Sequence, residues 1–386
     1  MDLATFEWLL TPAGQELLER AATLTPGDPI KAAETLRADA TAEQASAALS
    51  QAVLRHAATA KFGDAAALMY FTRDGLEQAT RLTVSRHRAS RIALAGPASV
   101  LDLGCGIGGD LIALSATGLT VAGVDKDPLR VAIAAANLTA LELDGAVLEA
   151  DGTTLDLSGF GVVFADPARR TAAGRVFSVE GYQPPWSFVT SLLERPSCVK
   201  VAPGIPHALV PDGVEAEWVS DDGDVKEAAL WSSYLSTARR RATVIRGNGL
   251  ASITDEDDPG APVLPLGRYL YEPDGAVIRA GLVTAVAALA EGGLLDERIA
   301  YVTSDEEITT PFATGYEVLE TLPYKEKQLR AALRERGVGT LTIKKRGVDI
   351  VPEQLRRRLA LEGDSEATVV LTRIDGAGAA LLVRPL

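Results

Sequence analysis

The stretch from Ser99 to Asp110 constrains this chain most. It reads Ser-Val-Leu-Asp-Leu-Gly-Cys-Gly-Ile-Gly-Gly-Asp. Ser99 to Leu103 is a short apolar run suited to a buried parallel strand. Gly104, Gly106, Gly108 and Gly109 follow at once, and Asp110 to Ala116 reads as the opening of a helix. A strand, a glycine turn and a helix present a helix N-terminus to a ligand. Glycine is needed where the chain turns sharply and its backbone approaches the ligand closely. The spacing Gly104-x-Gly106-x-x-Gly109 also fits the dinucleotide fingerprint, so a nicotinamide cofactor stays open on the glycines alone.

Acidic residues extend the pattern. Asp102 stands two residues before the first glycine. A second apolar run, Thr120 to Val124, ends at Asp125, whose carboxylate suits the two hydroxyls of a ribose. A third run, Val147 to Ala150, ends at Asp151, placed to accept from an adenine amino group. A fourth, Phe160 to Ala165, ends in Asp166-Pro167. All four acids stand at predicted C-terminal strand ends, the side where open α/β sheets bind ligands.

Asp102-Leu-Gly104-Cys-Gly106-Ile-Gly108, Asp125, Asp151 and Asp166-Pro167 resemble the successive motifs of the class I S-adenosylmethionine-dependent methyltransferases, over about residues 90 to 246. The resemblance implies that Asp102 and the loop of Gly104, Cys105, Gly106 and Gly108 hold the methionine end of the cofactor. Asp125 with Lys126 would hold the ribose, Asp151 with Gly152 the adenine, and Asp166 would border the cofactor. Cys105 reads as a small filler rather than a nucleophile. The helix before the glycine loop often packs beside the pocket in this family, which brings in Tyr70 to Thr72 and Glu77 to Thr80.

Methyl transfer from a sulfonium needs an in-line nucleophile about 3 Å from the methyl carbon. Asp166-Pro167-Ala168-Arg169 lies where methyltransferases of exocyclic amines carry Asp, Asn or Ser, then Pro-Pro, then an aromatic. Two positions match. Ala168 replaces proline and Arg169 replaces the aromatic. The expected catalytic set is Asp166, Pro167 and Arg169, with Arg169 stacking on a base or clamping a phosphate or carboxylate. Arg170 and Arg175 extend that basic rim, and Tyr182 and Trp186 are candidates for the missing aromatic. From Gly75 to Asp166 the chain also resembles the cap trimethylguanosine synthases, through Val124-Asp-x-Asp-Pro128 and Val162-Val-Phe164. That likeness implies an exocyclic guanine or adenine nitrogen.

Residues 1–90 read as a helical domain. Thr11-Pro12 and Asp28-Pro29 open helices, Thr41 with Gln44 opens a third, and Arg73 to Ala95 reads as one further helical stretch. Residues 91–250 alternate apolar runs with helical stretches, as a Rossmann-like doubly wound α/β sheet should. Cys198 to Ala202, Glu215 to Val219, Ala228 to Ser232 and Arg241 to Ile245 are its late strands, the last two expected as an antiparallel hairpin. Residues 251–310 read as a connecting segment, with an acidic turn at Asp255 to Gly260 and a helical run from Val277 to Leu289. Residues 311–386 read as strand, helix, strand, helix and a hairpin turned at Asp375-Gly376-Ala377-Gly378, a small α+β module. Its pattern and basic charge resemble the THUMP-like domains attached to some bacterial methyltransferases, and THUMP domains bind RNA.

Net charge is −14 over 386 residues, which alone argues against a nucleic-acid partner. Its distribution argues otherwise. Residues 324–360 hold eleven Lys or Arg against four acids, a segment of +7 on a remainder of −21. A basic module on an acidic chain indicates a localised anionic partner. Lys344, Lys345 and Arg346 are its expected phosphate-facing group, although Tyr324 stands alone as a stacking aromatic. Two cysteines and three histidines make no usual zinc set, so no metal is expected. No apolar stretch reaches about 20 residues without charge, so no membrane span is expected. No leader pattern opens the chain, and a reducing cytoplasmic setting is expected. The expected enzyme is thus a cytoplasmic methyltransferase acting on RNA. The alternatives are a small-molecule or protein methyltransferase with a structural tail, a non-catalytic RNA- or cofactor-binding protein, and, more distantly, a nicotinamide oxidoreductase.

Overall fold

The computed structural model describes residues 1–24, 28–169 and 182–386. They form two compact units, Met1–Glu215 with Ala229–Thr237, and Ala216–Ala228 with Ala238–Leu386.

The first unit begins with helices α1 (Leu3–Leu9), α2 (Pro12–Leu24), α3 (Pro29–Leu36), α4 (Ala42–Phe62), α5 (Arg73–Gln78) and α6 (Leu82–Leu94). A capping box opens α4. The Gln44 amide donates to the Thr41 hydroxyl at 3.2 Å, and the Gln44 side chain accepts from the Thr41 amide at 2.9 Å. The stretch from Arg73 to Ala95 is two helices rather than one. Lys61 Nζ donates to the carbonyls of Leu76, Glu77 and Ala79, each at 2.8 Å, and so caps α5 in place of a further helical turn. The segment before α5 is also held by side chains. Gln51 of α4 makes both backbone hydrogen bonds of Phe71, at 2.6 and 2.9 Å.

Next come β1 (Ser99–Leu103), α7 (Gly109–Ser115), β2 (Thr120–Asp125), α8 (Pro128–Ala140), β3 (Ala146–Glu149), β4 (Val162–Ala165), the short pair β5 (Ala168–Arg169) and β6 (Tyr182–Gln183), α9 (Trp186–Leu192) and β7 (Ser197–Val201). The sheet runs β7-β4-β1-β2-β3, with every one of these ladders parallel. The chain leaves β1 toward β2 and β3, then returns to add β4 and β7 on the other side. That reversal between β1 and β4 is the switch point where doubly wound sheets bind ligands. Val100 to Leu103 and Val162 to Ala165 are all buried, as central parallel strands require.

The second unit takes most of β8 (Glu215–Asp221) and of β9 (Asp224–Trp231), neighbours across a two-residue turn at Asp222-Gly223, both with positive φ. β10 (Arg240–Arg246) runs parallel to β8 and antiparallel to β11 (Gly249–Thr254). The expected hairpin between Ala228–Ser232 and Arg241–Ile245 is therefore absent. Asp222-Gly223 and the Gly247-Asn248 turn, with Gly247 at φ 54°, close the hairpins instead.

A seven-stranded sheet follows, with helices α10 (Gly275–Ala280), α11 (Val283–Leu289), α12 (Glu326–Glu335) and α13 (Pro352–Leu359) beside it in the chain. Its strands are β12 (Tyr269–Pro273), β13 (Gly293–Asp296), β14 (Ile299–Ser304), β15 (Ala313–Leu322), β16 (Val338–Lys345), β17 (Ser365–Ile374) and β18 (Ala377–Pro385). The order is β13-β14-β12-β15-β18-β17-β16, so strands from residues 251–310 pair into the same sheet as the C-terminal module. The helical run from Val277 to Leu289 breaks at Gly281, φ 69°. Alternation along β17 builds two cores: Val369 and Leu371 pack with Leu329, Leu333 and Leu355, whereas Val370 packs with Tyr301, Tyr316 and Leu381. Lys344 on β16 reaches Glu272 on β12 at 3.5 Å. Four strand places would separate them by about 19 Å in a flat sheet, so this sheet is strongly curled.

Candidate active site

The glycine loop turns because three of its residues hold positive φ: Gly104 at 82°, Gly106 at 56° and Gly108 at 85°. The amides of Gly104 and Cys105 both donate to the Val124 carbonyl, at 2.8 and 2.9 Å, pinning the loop to β2. A Cβ on Gly104 or Gly106 meets nothing within 4 Å, so both backbones face open space. The Asp125 carboxylate, at the end of β2, accepts from the Gly106 amide at 3.0 Å and the Asp127 amide at 3.0 Å. Cys105 is buried against β2, and burial pushes its thiol far up, which suits a filler.

Four carboxylates gather here: Asp102 on β1, Asp110 in α7, Asp125 at the end of β2 and Asp166 after β4. Asp102 is 1% exposed, and its Oδ2 has no hydrogen-bond partner among the described residues. Burial, then the nearby charges of Asp110 and Asp166, hold its carboxyl well above the usual range; Arg88 opposes and Asp125 adds to the rise. Asp110, in the first turn of α7, accepts from the Thr80 hydroxyl at 2.9 Å and from Arg88. Arg88 is buried on α6, with its guanidinium 4.4 Å from the centre of the Phe164 ring. Asp166 follows β4, and its Oδ2 accepts from Lys200 Nζ at 2.6 Å. Lys200 sits on β7 and also donates to the Thr80 hydroxyl at 3.0 Å.

Other expected residues fall around this cluster. Asp151 and Lys126 are exposed; Asp151 Oδ1 accepts from the Thr153 amide and hydroxyl, which lowers its carboxyl below the ordinary value. Gly152 lies against Leu103, so a Cβ there would meet that side chain at 2.8 Å. Pro167 follows Asp166, and the backbones of Arg169 and Tyr182 pair in the β5–β6 ladder. The side chains of Arg169 and Tyr182, and the whole of Arg170 and Arg175, lie outside the described residues. Trp186 is half-buried at the start of α9. Tyr70 and Phe71 are buried in the helical core, and the Tyr70 ring packs edge-on against Phe6. In the second unit Lys344 and Arg346 both reach Glu272 at 3.5 Å, while Lys345 is exposed.

Lys200, Asp110 and Arg88 were not singled out by the sequence motifs. A signal for Lys200 existed: one cation inside the buried run Cys198-Val199-Lys200-Val201 requires a partner. Asp110 and Arg88 needed the fold, since α6 and α7 meet only in space. A cavity of about 730 Å³ opens among the N-terminal helices, lined by Asp2, Arg37, Glu43, Ser50 and Arg73 among others; none of its lining residues belongs to the glycine loop. Among the described residues no cluster of metal ligands occurs, and no helix is long and apolar enough to cross a membrane.

A parallel sheet that reverses beside an acid-tipped β1, with an open glycine loop between that acid and a second one on β2, is the architecture of class I methyltransferases. An uncharacterized S-adenosylmethionine-dependent methyltransferase of Mycobacterium tuberculosis strain H37Rv is 39% identical over 338 residues, 84% of this chain and 92% of the relative. Its counterpart in strain CDC 1551 / Oshkosh matches to the same extent. The chain belongs to the S-adenosylmethionine-dependent methyltransferases, and S-adenosylmethionine is its cofactor. A crystal structure of a candidate methyltransferase from Porphyromonas gingivalis W83 shares the fold, with a TM-score of 0.78 over 96% of this chain and 98% of that one at 22% identity. Residues 313–385 match a family described as THUMP domain-like, and residues 2–58 match a domain family of unknown function.

Proposed function

We propose that this methyltransferase acts on RNA, at an exocyclic base nitrogen, and that its C-terminal module binds the RNA backbone. The observation that carries the reading is the THUMP-like module with its basic segment. Lys325, Lys327, Lys345 and Arg357 are exposed there and make no ion pair among the described residues, which suits phosphate contact. Other cations of the segment serve the fold. Arg334 donates to the Ala360 carbonyl at 2.7 Å, and Arg336 clasps Glu320 at 2.6 and 2.8 Å.

The cofactor supplies an electrophilic methyl group on a sulfonium. Its site suits that group. The unpartnered Asp102 oxygen fits the methionine ammonium, and the open faces of Gly104 and Gly106 admit the cofactor to the backbone. Asp125, already oriented by two amides, would accept from the ribose, and Asp151 with Gly152 would border the adenine. Asp166 keeps Oδ1 for the acceptor, because Lys200 takes Oδ2. That oxygen would receive an amine hydrogen and aim the nitrogen lone pair at the methyl carbon.

The test is transfer of labelled methyl from S-adenosylmethionine to total RNA from a strain lacking the gene. Label is expected with the wild type and lost in Asp166→Ala with cofactor binding retained. Absence of label in RNA from the wild type, with cofactor binding intact by calorimetry, overturns the RNA reading and moves the search to proteins and small molecules.

A further inference from the structure

We propose that Lys200 is a positioning residue for the methyl acceptor: it holds the Asp166 carboxylate toward the acceptor and ties it to the cofactor side of the site. The proposal rests on Asp166 standing at the acceptor position, as above. Lys200 comes from β7 and Asp166 from the end of β4, adjacent parallel strands. Their contact, 2.6 Å between Nζ and Oδ2, is a charge-assisted hydrogen bond with both groups partly shielded, at 17% and 32% side-chain exposure.

Proton inventory sets the direction of the chain behind it. Thr80 has one hydroxyl hydrogen, and a carboxylate can only accept, so Thr80 donates to Asp110 and accepts from Lys200. Among the described residues the ammonium thus reaches both Asp166 and Thr80. Asp110 lies in the first turn of α7, the helix that leaves the glycine loop at Gly108. A run of hydrogen bonds therefore joins Asp166 to the element that carries the cofactor loop. Charge gives a second reason. Asp166 lies near enough to the buried Asp102 to oppose its ionisation, and Lys200 sets a cation against that cluster of acids. It binds one oxygen of Asp166 and leaves the other for substrate.

The test reads cofactor analogues and needs no acceptor. Sinefungin carries an amine where the cofactor carries its methylated sulfur, so its affinity relative to S-adenosylhomocysteine reports a carboxylate at the acceptor position. By calorimetry, Asp166→Asn is expected to weaken sinefungin against S-adenosylhomocysteine by about tenfold, one charge-assisted hydrogen bond. In a Lys200→Met background the same change is expected to matter by less than about threefold, and Lys200→Arg is expected to restore the full effect. An Asp166→Asn effect of equal size with and without Lys200 overturns the positioning role. No effect of Asp166→Asn in the wild type removes Asp166 from the acceptor position, and this proposal goes with it. Loss of RNA labelling with the analogue coupling intact leaves Lys200 assigned and the substrate reading overturned. Should Lys200→Met not fold, Thr80→Val removes one anchor of the ammonium; an undiminished Asp166→Asn effect in that background overturns the proposal.

Discussion

Asp102 sits where burial and three neighbouring carboxylates all oppose its ionisation, with Arg88 the opposing influence. Its folded pKa is raised above the ordinary value of 3.8. The folded state therefore holds a proton that the unfolded chain has already lost, and stability falls as pH rises above that value, by up to about 1.4 kcal/mol per unit within the window. Asp102→Asn removes this dependence. Melting temperatures of wild type and variant are expected to separate as pH rises from the ordinary value toward neutrality, the variant being the more stable. Parallel curves would show that Asp102 ionises without cost. The same substitution is expected to weaken S-adenosylmethionine, because the amide offers the ammonium no charge. Gly106 answers to geometry instead. Gly106→Ala places a methyl in the open space before the loop at φ 56°. Backbone strain of about 1 to 2 kcal/mol is expected in the melt, with cofactor affinity lowered tenfold or more by the steric block.

At the scale of elements, amide side chains make the joints. Asn137 of α8 is wholly buried. Its Nδ2 donates to the carbonyls of Tyr70 at 3.1 Å and Ile107 at 2.8 Å, and its Oδ1 accepts from the Tyr70 amide at 2.6 Å. One side chain thus joins the helical N-terminus, α8 and the glycine loop. Asn137→Ala leaves three buried backbone groups unsatisfied, and a loss of about 3 kcal/mol is expected in urea unfolding. Cofactor affinity should fall with it, since Ile107 belongs to the loop. A stability loss below about 1 kcal/mol would mean the segment finds other partners. α6 does similar work on its inner face: Arg91 pairs with the buried Glu215 at 2.9 Å and lies 4.0 Å from the Trp231 ring centre.

For the whole molecule, charge is distributed with one basic segment on an acidic chain. If the exposed Lys325, Lys327, Lys345 and Arg357 meet phosphates, changing all four to Ala weakens RNA across sequences alike. Over about 50 to 200 mM salt, the slope of log affinity against log salt should shrink by about 0.7 for each single-strand phosphate left without its cation. Filter binding measures this, with S-adenosylmethionine affinity as the control expected to hold. An unchanged slope would place RNA binding elsewhere.

Periodicity and punctuation are local properties, and they were enough for β1, the glycine loop, the acid at each strand end and the strand–helix order of the C-terminal module. A parallel strand announces itself by an apolar run and a sharp turn by its glycines, so local pattern alone puts Asp102, Asp125 and Asp166 on or just after strands. Pairing is not local. The choice of β11 over β9 as partner for β10 depended on which two-residue turn closed, and the break between α5 and α6 on a lysine in α4. The curl that brings Lys344 onto Glu272 depends on strand order, which no single stretch encodes. The site shows the same division. Its acids stand in motifs, whereas their partners Arg88, Thr80 and Lys200 come from two other parts of the chain. Burial makes a charge seek whichever counterion the fold delivers, and only tertiary packing decides which one that is.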